Sequence, residues 1–263
     1  MKDDEIDHLF LAAKEAARAG GAELLSRFGR LGADAVNQKG HADYVSEADT
    51  AAEVAILKVL NETAAGYGFL GEETGYHAGE KTETWVVDPL DGTSNFVWGI
   101  PYFAVSIALC DESGEVLGVV FDPIRDEMFS AVRGRGAWVN DVRVPALAAK
   151  PPESAMVSIS MPVPGQLRCI AKGQFLVGLQ TIMDRAAGVR RLGSAALDLA
   201  YVGSGRLDGY FEDGLSYYDL AAGKLFALEA GAAVTNFEGG IAREGSVVAG
   251  QRSLHSWLAS VFQ

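Results

Sequence analysis

Basic residues are scarce in this chain: 22 Lys and Arg stand against 35 Asp and Glu, a net charge of −13 over 263 residues. A surface of that sign repels nucleic acid and anionic membrane, so neither is an expected partner. Cysteine is nearly absent. Cys110 and Cys169 are the two present, with no CxxC spacing, which speaks against a disulfide framework or a zinc site and for a reducing compartment, the cytoplasm. The four histidines, His8, His41, His77 and His255, are scattered and form no HExxH pair. No apolar run reaches the roughly 20 residues that span a bilayer. The opening "MKDDEIDHLF" is acidic where a secretory signal is basic and then apolar. Internal repeats and low-complexity tracts are also lacking. An acidic excess is by default a solubility device; it acquires chemistry only where several carboxylates converge, because they repel unless cations neutralise them.

What is present is enough apolar sequence, 49% of residues, for a substantial core. Apolar spacing predicts a helix over 5–28, with Gly20 and Gly21 weakening its middle, and a second over 47–62. "GYGFLGEE" and "TWVVDP" read as short strands, and "GTSNFVWGIP" as a helical turn. "FAVSIALC", "VLGVVFDP", "EMFSAVRG" and "GAWVND" then form an antiparallel meander. Five of the eight prolines fall between 145 and 165, dividing a half at about 1–148 from one at about 149–263. The second half alternates: strand 155–160, helix about 165–184, strand 189–192, helix 194–203, strand 208–212, helix 219–230, and strands near 233 and 246. That is an α/β rhythm.

The carboxylates that end strands or open helices are Asp49, Glu72, Glu73, Asp88, Asp91, Glu212, Asp213 and Asp219. Glu72, Asp88 and Asp91 follow consecutive strands, so if those strands are neighbours the three meet at one sheet edge. Hard oxygen donors gathered in this way suit Mg²⁺. In "WVVDPLDGTSNF" Pro89 stiffens the connection, which lets the Leu90 carbonyl be held toward a metal while its side chain packs inward. Gly92 permits close backbone approach, and the amides of Gly92 and Thr93 open a helix where phosphate is attracted. A plain turn uses the same residue types, but it has no need of two carboxylates, a carbonyl and an anion cradle together.

"WVVDPLDGTSNF" resembles the DPxDGTxNF signature of the inositol monophosphatase family, Mg²⁺-dependent phosphatases sensitive to lithium. "KGHADYVSEAD" (39–49), "GEE" (71–73), "GVVFDPIRDEMFSAVRGRGAWVN" (118–140), "LGSAALDLAYVGSGRLDGYFE" (192–212) and "YYDLAAG" (217–223) resemble it further, in order. The resemblance implies one domain over 1–263, a layered αβαβα sandwich of the inositol monophosphatase and fructose-1,6-bisphosphatase type. It implies a phosphomonoesterase with two to three Mg²⁺ held by Glu72, Asp88, the Leu90 carbonyl, Asp91 and Asp219, and Glu73 near a water of the metal shell. Thr93, hydrogen-bonded to Asp49, would orient and help deprotonate the attacking water, with Glu72 in the catalytic set. Asp91, Gly92, Thr93, the Gly193-Ser194-Ala195 backbone and Glu212 would bind substrate. Lys39 would lie by a mobile loop, "NQKGHAD", closing over the metals. Inositol 1-phosphate is the foremost substrate implied, ahead of histidinol phosphate, fructose 1,6-bisphosphate and 3′-phosphoadenosine nucleotides. Relatives are commonly homodimers, and "FAVSIALC" offers an interface. Tyr218 departs from the family, which usually carries Trp before the metal-binding Asp.

Two rivals come from other classes: an inactive metal-binding regulatory protein, and a Ca²⁺-stabilised structural one. "GYGFLG" matches GxGxxG, but a helix precedes it and two glutamates follow, where a dinucleotide site needs strand, glycines and helix. "RGRGAWVN" reads as a Gly-rich hairpin with solvated arginines rather than a phosphate loop, and "DDE" at 3–5 as a favourable first helical turn. Arg190-Arg191 reads as a solvated strand end, with a role in substrate selection as the lesser alternative because the expected pocket is near. Asp198, on an otherwise apolar helix, has no role at this level.

Overall fold

The computed structural model describes residues 1–30, 36–40, 43–161 and 165–262, over 36–40 and 43–46 as backbone alone. Helix α1 (Asp3–Arg27) opens on Asp3, Asp4 and Glu5, acidic groups that complement the positive end of the helix dipole. It runs unbroken through Gly20 and Gly21, the two residues expected to weaken its middle. A Cβ on Gly20 would come within 2.8 Å of Ile56, and one on Gly21 within 2.6 Å of the Phe121 ring. Close packing therefore outweighs the weak helix propensity of glycine, about 1 kcal/mol per residue. Strands β1 (Val36–Gly40) and β2 (Asp43–Ser46) pair antiparallel, and α2 (Glu47–Thr63) packs along α1. Where a mobile loop was expected, the backbone of 36–40 and 43–46 is paired; the Lys39 side chain and residues 41–42 lie outside the described residues.

The large sheet follows. Its strands are β3 (Gly68–Gly71), β4 (Gly75–His77), β5 (Thr84–Asp91), β6 (Ala104–Asp111), β7 (Gly114–Asp122), β8 (Glu127–Val132), β9 (Gly136–Val139) and β10 (Val142–Arg143), in the order β10-β9-β8-β7-β6-β5-β3-β4. The expected meander is β6 to β9, each strand antiparallel to the next. Helix α3 (Thr93–Val97) is the predicted helical turn. Strand β6 is the correction: it lies between β5 and β7 and is buried along nearly its whole length. Its apolar run therefore fills the core and offers no surface to a second subunit. Both faces of the sheet are covered, which is why these strands read as continuous apolar runs instead of alternating ones.

The second sheet contains β11 (Met156–Ile159), β12 (Gly188–Arg190), β13 (Gly209–Leu215), β14 (Ala233–Thr235) and β15 (Gly245–Gly250), ordered β12-β11-β13-β15-β14. Helices α5 (Ala195–Gly203) and α6 (Tyr217–Glu229) lie between the sheets and touch both. Helices α4 (Lys172–Arg185) and α7 (Arg252–Val261) cover the far face of the second sheet. The layers are thus α1/α2, large sheet, α5/α6, small sheet, α4/α7: an αβαβα sandwich, as expected. Helix α4 begins at Lys172, not at 165. The carboxylate of Asp213 takes the amides of Arg168 (2.9 Å), Cys169 (2.9 Å) and Ile170 (3.3 Å), and that cup of donors ties the segment to β13 instead of to a helix. Among the described residues no helix is long and apolar enough to cross a membrane.

Candidate active site

Strands β3 and β5 run parallel side by side, with Gly71 opposite Val87. Their ends therefore deliver Glu72 and Glu73, and Asp88 and Asp91, to the same edge. The pairing of β5 with β6 shifts register between Asp88 and Asp91. That bulge falls on Pro89, which has no N–H to give to the ladder. The Leu90 amide, freed from the ladder, donates to Asp88 Oδ1 at 2.9 Å. The Leu90 side chain is buried and its carbonyl accepts the Thr93 hydroxyl at 3.0 Å. Thr93 Oγ1 also stands 3.3 Å from Asp49 Oδ1, the contact expected of a threonine paired with that carboxylate. Gly92 supplies the left-handed corner, φ 96°, that turns the strand into α3.

Two helices of the second half complete the cluster. Asp219 lies in the first turn of α6, where it accepts the Ser216 amide at 2.7 Å in a capping box. Asp91 is held at the start of α5 by the Ser194 hydroxyl and by the amides of Ala195 (3.2 Å) and Ala196 (2.8 Å). Asp88 keeps its proton well above the ordinary carboxylate range, first through burial and then through the charges of Glu72, Asp91 and Asp219. Asp219 is raised likewise by burial, then by Asp91 and Glu72. Asp91 is pushed by burial to about 6, against the pull of Ser194, Ala196 and Ala195. Four carboxylates from three separate chain segments, Asp88 and Asp91 buried and Glu72 and Asp219 half-buried, thus meet and repel one another. Among the described residues no three of them close as a preformed cage. Mutual repulsion of anions is the condition that a divalent cation relieves, and oxygen-only donors are the set that suits Mg²⁺. Glu73 follows Glu72 on the same turn, half-buried. Tyr218 borders the cluster; burial first, then Glu72, Asp219 and Asp88, hold its phenol proton more firmly than usual.

The opposite wall carries Glu212, which accepts the Tyr210 hydroxyl and, at 3.4 Å, Gln166 Nε2. Burial drives its pKa up to about 7, countered by Tyr210 and Ser160. Because the folded-state pKa lies above the value of 4.5 for a free Glu, this group favours the fold below pH 4.5 and loses that contribution as pH rises through 7. Glu212→Gln should flatten the decline in unfolding free energy between pH 5 and 7.5, by on the order of 2 kcal/mol, in urea melts at stepped pH. Curves that stay parallel would refute a buried, proton-holding Glu212. Leu192 and Gly193 are tied to the signature loop through Asn95, whose Nδ2 donates to the carbonyls of Tyr102 (2.7 Å), Leu192 (2.8 Å) and Gly193 (3.3 Å).

Several site-supporting residues escape a local reading. Glu53, one helical turn after Asp49, is buried; the i, i+4 spacing was its one signal. Asp198, without a role in the sequence, accepts the Tyr102 hydroxyl at 2.8 Å inside the core. The arginines of "RGRG" are structural: Arg133 binds Asp111 and the Glu115 carbonyl, and Arg135 binds Asp3 and Asp7.

The sequence profile of the inositol monophosphatase family matches residues 5–263. "Inositol-1-monophosphatase" of Mesorhizobium japonicum is 46% identical over 93% of this chain and 92% of its own length. "Nus factor SuhB" of Haemophilus influenzae is 40% identical, over 90% of this chain and 89% of its own length. The crystal structure of extragenic suppressor protein suhB from Bartonella henselae superposes with a TM-score of 0.90 at 41% identity, covering 97% of this chain and 98% of that one. With a profile match over nearly its whole length and relatives of this identity, the chain belongs to the inositol monophosphatase family and is a phosphatase.

Proposed function

We propose that this protein hydrolyses the phosphomonoester of a small polyol, inositol 1-phosphate foremost, with two to three Mg²⁺ ions. The observation that carries the reading is the meeting of buried Asp88 and Asp91 with half-buried Glu72 and Asp219. Those four groups and the Leu90 carbonyl would hold the ions, with Glu73 beside them. Bound there, Mg²⁺ supplies charge neutralisation and Lewis-acid activation of water and ester. Thr93, held between Asp49 and the Leu90 carbonyl, orients the attacking water and draws its proton toward Asp49. The amides of Gly92 and Thr93 receive the phosphate. Glu212 and the Gly193-Ser194-Ala195 backbone take hydroxyls of the alcohol part, and a carboxylate on that wall disfavours a second phosphate. Lys39 belongs to the segment that closes over the site. Thr93→Ala should lower kcat by about 10²- to 10⁴-fold with little change in Mg²⁺ affinity; full activity would remove Thr93 from the mechanism.

The substrate is tested by phosphate release from inositol 1-phosphate, glycerol 2-phosphate, histidinol phosphate, fructose 1,6-bisphosphate and 3′-phosphoadenosine 5′-phosphate, each with EDTA and with Li⁺. Preferential, EDTA-sensitive release from inositol 1-phosphate supports the reading. Silence on every compound with Mg²⁺ bound would favour the regulatory one, which the relatives called Nus factor bring forward. As one domain of two halves sharing the α5/α6 layer, the chain is proposed to act as a cytoplasmic homodimer; both cysteines are free thiols, in keeping with a reducing compartment. Light scattering at micromolar concentration tests the dimer.

A further inference from the structure

Helix α2 presents two carboxylates one turn apart, Asp49 and Glu53, both about 1% exposed. Asp49 meets Thr93 on the loop after β5. Glu53 meets the loop after β3: its Oε2 accepts the Glu73 amide at 3.0 Å and its Oε1 the Thr74 amide at 2.9 Å. Both oxygens are thus bonded to the turn that carries Glu72 and Glu73. Gly71, the last residue of β3, makes room for this contact, since a Cβ there would stand 2.4 Å from Glu53 Oε2. Burying a carboxylate is costly unless hydrogen bonds compensate it, and two amides of one tight turn are an efficient compensation that also fixes the turn's orientation.

We infer that Glu53 is a positioning residue for the metal site: it clamps the Glu72–Glu73 turn so that these carboxylates face Asp88 before any cation binds, while Asp49, on the same helical face, sets Thr93. The inference rests on the reading of Glu72 as a metal-holding group. Helix α2 thereby holds the two loops in fixed relation, and the cost of ordering the turn is met on folding instead of on metal binding. A glutamine at 53 has one acceptor oxygen and would set its amide nitrogen against a backbone N–H. An aspartate keeps the charge but falls a methylene short of the turn.

The test uses the full-length protein in three forms: wild type, Glu53→Gln and Glu53→Asp. Mg²⁺ affinity is read by titration calorimetry, amide exchange by mass spectrometry over 68–77, and phosphate release against Mg²⁺. Both variants should bind Mg²⁺ about tenfold more weakly, exchange the 72–75 amides about tenfold faster in the apo state, and regain kcat within about twofold at saturating Mg²⁺. A general weakening of the fold would instead speed exchange throughout the chain and leave kcat low at any Mg²⁺. Unchanged Mg²⁺ affinity in either folded variant would overturn the inference. If Glu53→Gln does not fold, the charge-retaining Glu53→Asp decides by the same readings. If the wild type itself binds no Mg²⁺, the reading of the metal site fails, and faster exchange confined to 72–75 in the variants would then show the clamp alone.

Discussion

Replacing Asp88 with asparagine is expected to lower kcat/KM by about a thousandfold or more, the rate equivalent of losing several kcal/mol of metal-derived stabilisation. The fold should survive. Asp88 is 2% exposed and accepts the Leu90 amide through Oδ1, a bond that the asparagine oxygen reproduces. The new amide nitrogen would stand among Glu72, Asp91 and Asp219, where the wild type crowds in a fourth carboxyl whose ionisation burial and those charges oppose. In EDTA the variant should therefore melt at or above the wild-type temperature. On adding Mg²⁺ the order should reverse, because a cation stabilises the fold in proportion to its affinity and the variant has lost a ligand. Differential scanning calorimetry with and without Mg²⁺, beside the kinetics, checks both halves. An active Asp88→Asn enzyme, or one whose melting point gains as much from Mg²⁺ as the wild type, would remove Asp88 from the metal site.

The largest expected loss of stability lies away from the chemistry. Lys224 of α6 is 4% exposed; its Nζ lies 2.6 Å from Glu115 Oε1 of β7 and 2.8 Å from the Ala242 carbonyl. Glu115 accepts in addition the Tyr217 hydroxyl at 2.6 Å. Lys224→Met would leave Glu115 charged, buried and held by a single phenol, a change that costs about 3–5 kcal/mol when one partner of a buried pair is removed. Adding Glu115→Gln removes the orphaned charge and should restore part of that loss, so the double-mutant cycle gives a coupling well above zero. Urea unfolding measures it. A single-variant loss below about 1 kcal/mol would mean that water reaches the pair and that it acts as a surface bridge.

The helix and strand order was legible because apolar periodicity is local. The runs "FAVSIALC" and "VLGVVFDP" announced strands, and "DPLDGT" announced a strand end with two carboxylates and a helix start. Where a local reading failed, a distant group had intervened. Asp213 drew the amides of 168–170 out of the predicted helix. At Gly20 and Gly21 the predicted helix held, and the close approach of Ile56 and Phe121 accounts for glycine there. The β6 run, read as a surface for a partner, became the middle of a sheet covered on both sides.

By itself, then, the sequence determined most of the succession of elements, though not β1, β2, β4, β10 or α7, with the acidic character of the site and the loop from Asp88 to Thr93 that bears it, since each depends on residues within a few positions of one another. Only the tertiary structure decided which carboxylates meet. Asp91 reaches Ser194, Ala195 and Ala196, more than a hundred residues on, and Asp219 is brought to Asp88 by a helix shared between two sheets. The same holds for Glu53, whose part is visible only once β3 lies beside α2. Charges act on one another through distance in space and through burial, and neither is encoded in spacing along the chain.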